Sequence, residues 1–322
     1  MSILITGGAG YIGSHLVKLL GEKAEDLIII DNFSTGNKNS VLYGNIIQAD
    51  LNDTNQIEEI FKNYNFDTVV HFAASIVVPE SVSNPLKYYM NNTVNTTNLL
   101  NLCTKYKVNK FIFSSTAAVY GEVDEKPVSE KHPAIPINPY GRSKLMSEQI
   151  IKDLANANKN FKYVILRYFN AAGANAENKI GHKFPNATHL IKVAAETASG
   201  KRDIISIYGT GYNTPDGTCV RDYVHVDDLA RAHVKAINYL NNNESDTFNC
   251  GYGVGYSVKE VIDTMKKVSG YDFKVNYADK RQGDPAIVIS DSTKIMEKMG
   301  WIPKYNNLEY ICQTALNWEK SN

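Results

Sequence analysis

Cysteine is scarce in this chain of 322 residues: Cys103, Cys219, Cys250 and Cys312 stand far apart, with no CxxC pair and no zinc-ligand spacing. That argues against a disulfide framework or a metal-thiolate site and leaves four reduced thiols, as expected of a cytoplasmic protein with no bound metal. An excess of charge is missing too. Lys plus Arg and Asp plus Glu are equal at 34 each, with no basic run, so there is no reason to expect nucleic acid or an anionic membrane as a partner. No apolar run approaches the ~18 residues that span a bilayer. The opening Met1-Ser2-Ile3-Leu4-Ile5-Thr6-Gly7 has no charged segment ahead of an apolar one, and no signal peptide is expected there. Repeats and low-complexity linkers are lacking as well. The sequon Asn95-Thr96-Thr97 is read as a chance match.

What is present is an ordinary globular composition, 43% hydrophobic, in a chain long enough for a large core and two lobes. The first half alternates short apolar runs with amphipathic stretches. Ile3–Ile5, Leu27–Ile30, Thr68–Phe72, Lys110–Ser114 and Tyr163–Arg167 read as strands, and Tyr11–Leu20 as a helix. Continuous apolar strands separated by helices predict an α/β fold, a Rossmann-type doubly wound parallel sheet covered on both faces. After about Asn170 the texture changes to loops rich in Gly, Asn, Pro and Asp, with helices near Val226–Leu240 and Val258–Val268. This predicts a dinucleotide-binding domain over 1–170 and a smaller α/β lobe over 171–322. Segments between about 224 and 250, near Val224-His225-Val226 and Thr247-Phe248-Asn249, are expected to return to the main sheet.

The first strand runs straight into Gly7-Gly8-Ala9-Gly10-Tyr11-Ile12-Gly13 and then a helix. Glycines at 7, 10 and 13 permit the tight turn and let the backbone approach a pyrophosphate at the helix N-terminus. The second strand ends in Asp31-Asn32, with Asp31 18 residues past Gly13. That is where a carboxylate accepts hydrogen bonds from an adenosine ribose and repels a 2′-phosphate, so NAD is favoured over NADP.

Tyr140-Gly141-Arg142-Ser143-Lys144 puts a tyrosine and a lysine at i and i+4, one turn apart on one helix face. An ammonium near a phenol favours the phenolate, so Lys144 is expected to draw the Tyr140 pKa toward neutrality. A tyrosinate beside a nicotinamide can make or break a C–OH bond by hydride transfer. Phe113-Ser114-Ser115-Thr116 ends a strand in hydroxyls 24 residues before Tyr140, and Thr116 can relay the proton.

TGGAGYIGSH, DN, HFAA, FSSTAAVYG, NPYGRSK, LRYFNAAGA, DGTCVRDYVHVDDLA and RQGDP together resemble the UDP-glucose 4-epimerase family, extended members of the short-chain dehydrogenase/reductase superfamily. The likeness runs from residue 2 to about residue 318. It implies that Tyr140, helped by Thr116, takes the proton from the sugar 4-hydroxyl while the C4 hydride passes to NAD. The 4-keto sugar then turns over and takes the hydride back on its other face. Lys144 would hold the nicotinamide ribose. By the same resemblance Gly7, Gly10, Tyr11, Ile12, Gly13, Asp31, Asn32, Asp50, Leu51, Phe72, Asn91 and Phe169 would contact NAD, with Thr116, Tyr140 and Lys144. Asn170, His189, Leu190, Tyr208, Arg221, Arg281 and Asp284 would hold the UDP-sugar. A homodimer is implied, packed through helices near Tyr88–Tyr106 and Tyr140–Asn156.

Two positions depart from the family pattern. Ile76 stands where a lysine often reaches the cofactor. Val288 stands where strict glucose/galactose enzymes often carry a tyrosine near the sugar, and it leaves room for an N-acetyl group at C2. A 4,6-dehydratase of the same fold would need an Asp-Glu pair after the hydroxyl, where this chain has Ala117-Ala118. A decarboxylase or uronate epimerase is harder to separate, and a nucleotide-sensing protein would be expected to have lost Tyr140 or Lys144.

Overall fold

The computed structural model describes residues 2–123, 127–184, 187–281 and 284–322. Seven strands build the main sheet: β1 (Ser2–Thr6), β2 (Leu27–Asp31), β3 (Asn45–Gln48), β4 (Phe66–His71), β5 (Lys110–Thr116), β6 (Lys162–Tyr168) and, after three strands of other sheets, β10 (Asp246–Cys250). Their order is β3-β2-β1-β4-β5-β6-β10, and each neighbouring pair is parallel. β1 and β2 are buried along their whole length, as Ile- and Leu-rich runs must be when helices cover both faces. The order reverses between β1 and β4, which opens a crevice at their carboxyl ends.

Helices α1 (Tyr11–Gly21) and α2 (Thr54–Asn63) follow the first strands. A long, interrupted helix comes next: α3 (Val78–Ser83), α4 (Pro85–Tyr88), a π-helical turn (Tyr89–Val94) and α5 (Asn95–Lys105). Helix α6 (Pro139–Ala157) starts on Pro139, with Asn138 Oδ1 accepting from Gly141 N at 2.8 Å, a favourable N-terminus. Ile57, Phe61, Leu99, Cys103 and Ile151 place α2, α5 and α6 on one face of the sheet. Leu16, Val17, Leu229 and Ala230 cover the other from α1 and α8 (Val226–Tyr239), the latter reached after α7 (Leu190–Ala198).

The rest is smaller. β9 (Val220–His225) is flanked by parallel β7 (Asn170–Ala172), parallel β13 (Ile287–Val288) and antiparallel β11 (Gly255–Ser257). β8 (Ile204–Tyr208) pairs with β12 (Lys274–Ala278). Helices α9 (Val258–Ser269), α10 (Thr293–Met299) and α11 (Leu308–Ser321) close the lobe. Ser257 and Glu260 form a capping box at the start of α9, and Gly270 ends it at φ +67°.

The expected return of the chain to the main sheet needs correcting for its first half. Val224 and His225 lie in β9, whose edges are taken by β7, β11 and β13, so they never reach the large sheet. Only Thr247-Phe248-Asn249, inside β10, pairs with β6. One buried cluster runs from Ile5 and Leu16 through Phe248 to Met265, Trp301 and Leu316, so a common core crosses the expected boundary at residue 170. Phe248 is 0% exposed at its centre. Phe248→Ala should cost about 3–5 kcal/mol, and urea unfolding should show one transition at a lower midpoint. A separate early transition for part of the chain would mean two independent cores.

Candidate active site

The carboxyl ends of β1 and β4 approach so closely that only glycine fits at position 7. A Cβ there would lie 2.6 Å from Ala73 N, and Gly7 has φ +71°, a conformation that favours glycine. Gly10 caps α1 without a side-chain oxygen, leaving first-turn N–H groups for an anion. A Cβ on Gly13 would sit 2.4 Å from Gly7 O. Asp31 lies under this loop, Oδ2 accepting from Ala9 N at 2.9 Å and Oδ1 from Phe33 N at 2.8 Å. Burial raises its pKa, with those two N–H groups pulling the other way. Each oxygen keeps a lone pair for a ribose hydroxyl.

Asn32 donates to Asp50 Oδ2 at 2.8 Å. Burial of Asp50 opposes its ionisation, but the Asn52 N–H and the Asn32 and Asn52 side chains win and hold it low. Leu51 is buried beside it. Phe72 follows β4 into the crevice, its ring 4.6 Å from His233, and Phe169 is buried between β6 and β7. Asn91 lies in the π-helical turn and donates to Ser75 Oγ at 3.0 Å. These groups form a cradle of main-chain donors with an acidic residue at the ribose end, which fits a dinucleotide. Ile76 is 43% exposed.

At the end of β5, the Thr116 side chain lies beside Tyr140, and both residues are 9% exposed. Lys144 is buried, its Nζ donating to Ser114 O at 2.8 Å and lying 4.7 Å above the Phe113 ring. Burial raises the Tyr140 phenol, and the Thr116 hydroxyl pulls the other way. Lys144 faces a carbonyl rather than the phenol. Burial brings its own ammonium down to about 7, against an upward pull from Glu148.

The other candidates fall into two groups. Asn170, His189 and Leu190 line one cavity with Tyr11 and Gly173. Tyr11 spends its side chain there: the hydroxyl donates to Gly173 O at 2.6 Å and the ring stacks 4.5 Å from His182. Its main chain is what remains for the glycine loop. The second group lies on the small sheet, where Val288 is in register with Arg221. Arg281 lies 3.7 Å over the Tyr208 ring, and Asp284 is half-buried nearby in sequence. Gln282 and Gly283 of the RQGDP motif lie outside the described residues. Among the described residues no carboxylate forms an ion pair with Arg221 or Arg281; Arg221 Nη1 donates to Val220 O at 2.9 Å and to Ala286 O at 3.4 Å.

Two features escaped the sequence reading. Asn92, in the π-helical turn, donates to Ser143 Oγ at 3.0 Å and accepts from Ser75 N at 2.8 Å, fastening the crevice loop to α6. Asp222 is fully buried and accepts from Tyr252 N, Gly253 N, Ser290 N and Ser290 Oγ, pinning the segment that carries Val288. A run of acids in a polar motif gives no hint of this; only the contacts reveal it.

Residues 3–251 match the NAD dependent epimerase/dehydratase family, and this chain belongs to it. A UDP-glucose 4-epimerase of Azospirillum brasilense is 46% identical over 99% of this chain and 92% of its own length. The solved UDP-Glc/GlcNAc 4-epimerase of Campylobacter jejuni is 54% identical, with TM-score 0.88 over 100% of this chain and 99% of that one. The UDP-glucose 4-epimerase of Brucella ovis, solved in complex with NAD, is 40% identical with TM-score 0.95, covering 99% of this chain and 98% of that one.

Gly13→Ala would drive its methyl into the Gly7 carbonyl, so the purified variant should retain at least roughly tenfold less nucleotide. Denaturation and chromatography of the released cofactor measure it. Wild-type nucleotide content would show that the loop tolerates the side chain.

Proposed function

We propose that this protein is an NAD-dependent 4-epimerase of UDP-hexoses and that Tyr140 is its proton-transfer group. The observation that carries the reading is that Tyr140, Lys144 and Thr116 are buried together where α6 meets the carboxyl end of β5, Lys144 Nζ donating to Ser114 O at 2.8 Å, beside a glycine loop that admits no Cβ at position 7. Bound NAD supplies a hydride acceptor and donor for sugar C4 and is restored within each cycle. Tyr140 takes the proton of the 4-hydroxyl, with Thr116 in line between phenol and sugar, and returns it once the 4-keto sugar has turned over. Lys144, buried one helical turn on, holds the nicotinamide ribose. Asp31 selects the free 2′-hydroxyl of NAD, and the remaining cofactor contacts come from Gly7, Gly10, Tyr11, Ile12, Asn32, Asp50, Leu51, Phe72, Asn91 and Phe169.

Arg221 and Arg281 hold the diphosphate, the chemistry for which guanidinium is suited. Asn170, His189, Leu190, Tyr208 and Asp284 hold the rest of the nucleotide. The protein acts in the cytoplasm, in keeping with four buried free thiols, and as a homodimer. Support for the dimer is a stripe of exposed apolar side chains at helical spacing, Val82, Leu86, Met90 and Val94, with Met146 of α6 also exposed. Leu86, Met90 and Val94 stand at i, i+4 steps, and soluble monomers rarely leave such a patch uncovered.

The substrate range includes N-acetylated sugars. Val288 is short and in register with Arg221, which leaves clearance for a C2 acetamido group as the sugar turns, and the C. jejuni relative is named for both sugars. Incubation with UDP-glucose and UDP-N-acetylglucosamine separately, with chromatography of the products, tests both halves of the proposal. Turnover of neither sugar would defeat the epimerase reading, and turnover of UDP-glucose alone would defeat the wider range.

Tyr140→Phe should lower turnover by roughly 10²–10⁴ while NAD stays bound, since the glycine loop is untouched. Lys144→Ala should lose both turnover and cofactor, which nucleotide analysis of the purified protein would register. Val288→Tyr should suppress UDP-N-acetylglucosamine turnover by roughly 5- to 150-fold, the effect of overpacking by about 1–3 kcal/mol, and largely spare UDP-glucose. An unchanged ratio of the two rates would place the volume control elsewhere.

A further inference from the structure

The proton-handling group is split between two elements. β5 supplies Thr116 and the Ser114 carbonyl, and α6 supplies Tyr140 and Lys144. β5 and α6 are not contiguous in the chain, so their spacing depends on contacts between them. Glu148, one turn beyond Lys144 on α6, makes one such contact. Its side chain is 0% exposed and that of Arg167 is 5%. Oε1 accepts from Ser115 Oγ at 2.6 Å and from Arg167 Nε at 2.9 Å, while Oε2 accepts from Arg167 Nη2 at 2.6 Å.

Ser115 directly precedes Thr116, and Ser115 and Arg167 are register partners in β5 and β6. The fork of Arg167 continues outward. Its Nη1 donates to the Tyr120 hydroxyl at 3.1 Å, and that hydroxyl donates to Asn249 Oδ1 of β10 at 2.6 Å. Tyr120 follows the short turn Ala117–Val119 that leaves Thr116. One carboxylate therefore binds the helix bearing the base to the strand end on one side of Thr116, and through Arg167 to the turn on the other. Burial opposes the Glu148 charge, but the Arg167 hydrogen bonds and charge, with Lys152 and Ser115, hold its pKa low.

A buried ion pair is a poor source of net stability, because hydrophobic residues of similar volume often replace it at no cost. We propose that Glu148, clamped by Arg167, is a positioning residue for the epimerisation. It fixes the separation of Thr116 and the Ser114 carbonyl from Tyr140 and Lys144. This rests on the assignment of Tyr140, Thr116 and Lys144 made above.

The test separates position from stability. The double variant E148M/R167L removes both charges at similar volume and leaves neither one orphaned. It should melt close to the wild-type temperature, keep its bound NAD and keep KM for UDP-glucose within about twofold. Its kcat should fall roughly 10- to 100-fold, as misplacement of a reacting group does. Wild-type kcat in the folded double variant overturns the proposal. Ser115→Ala cuts only the link to β5 and leaves the ion pair intact. It should lower kcat several-fold at unchanged KM and melting temperature, and it decides the question alone if the double variant cannot be purified, wild-type kcat again being the overturning result. Tyr140→Phe measured in parallel keeps the two ideas apart. Full activity there defeats the assignment of the base, whereas an inactive Tyr140→Phe beside a fully active E148M/R167L defeats only the role of Glu148.

Discussion

The structure is organised around a contact that leaves no space for a side chain, where the end of β1 passes the end of β4 at Gly7 and Ala73. The sheet order reverses there, so the connections leaving the two strands run to opposite sides and a crevice opens at the strand ends. The consequences spread outward. Thr6 at the end of β1 hydrogen-bonds His71 at the end of β4 at 2.6 Å, and His71 bonds Thr96 of α5 at 2.9 Å. Thr96 donates to Asn92 O, and Ser147 of α6 donates to that same carbonyl. Burial, with the Lys144 charge, drives the His71 pKa to about 3, so His71 is neutral and each ring nitrogen has a fixed partner. The strand crossing is thus joined to the helix carrying Tyr140 by uncharged hydrogen bonds alone.

What could be read in the sequence follows from what is local. The glycine loop, the strand before it and the helix after it are contiguous, so spacing alone located them. Tyr140 and Lys144 share a helix, and their separation by one turn needed no tertiary information. What one group does to another across the fold was not legible. Lys144 was expected to act on its helical neighbour, yet its ammonium turns to a carbonyl on β5. β9 looked like a strand of the main sheet because its apolar pattern says only that it is buried, not beside which partner. Glu148 is one of several charged residues along α6 and Arg167 one charge in an apolar strand, and only their meeting shows that both are enclosed.

The motif RDYVHVDD illustrates the same point within a few residues. Arg221 donates to the main chain of Val220 and Ala286, while Asp222 is turned inward onto Ser290 and the Tyr252–Gly253 main chain. Asp227 bonds His15 of α1 at 2.6 Å. Asp228 accepts from the Tyr252 hydroxyl and from the main chain of Lys304 and Tyr305. Alternation along β9 separates Arg221 from the buried Asp222, and α8 then buries two more acids, Asp227 against the His15 ring and Asp228 against main-chain donors. A motif specific to this family is therefore in large part a frame for its second sheet.

The common core also constrains how ligands come and go. The apolar cluster on one face of the main sheet continues without interruption into α7, α9 and α11. Proteins whose lobes meet across a thin polar seam can open like a jaw, but here such a swing would expose the interior. Ligand exchange by such a swing would break the buried cluster itself, so the packing beneath the crevice ties the two lobes to one body.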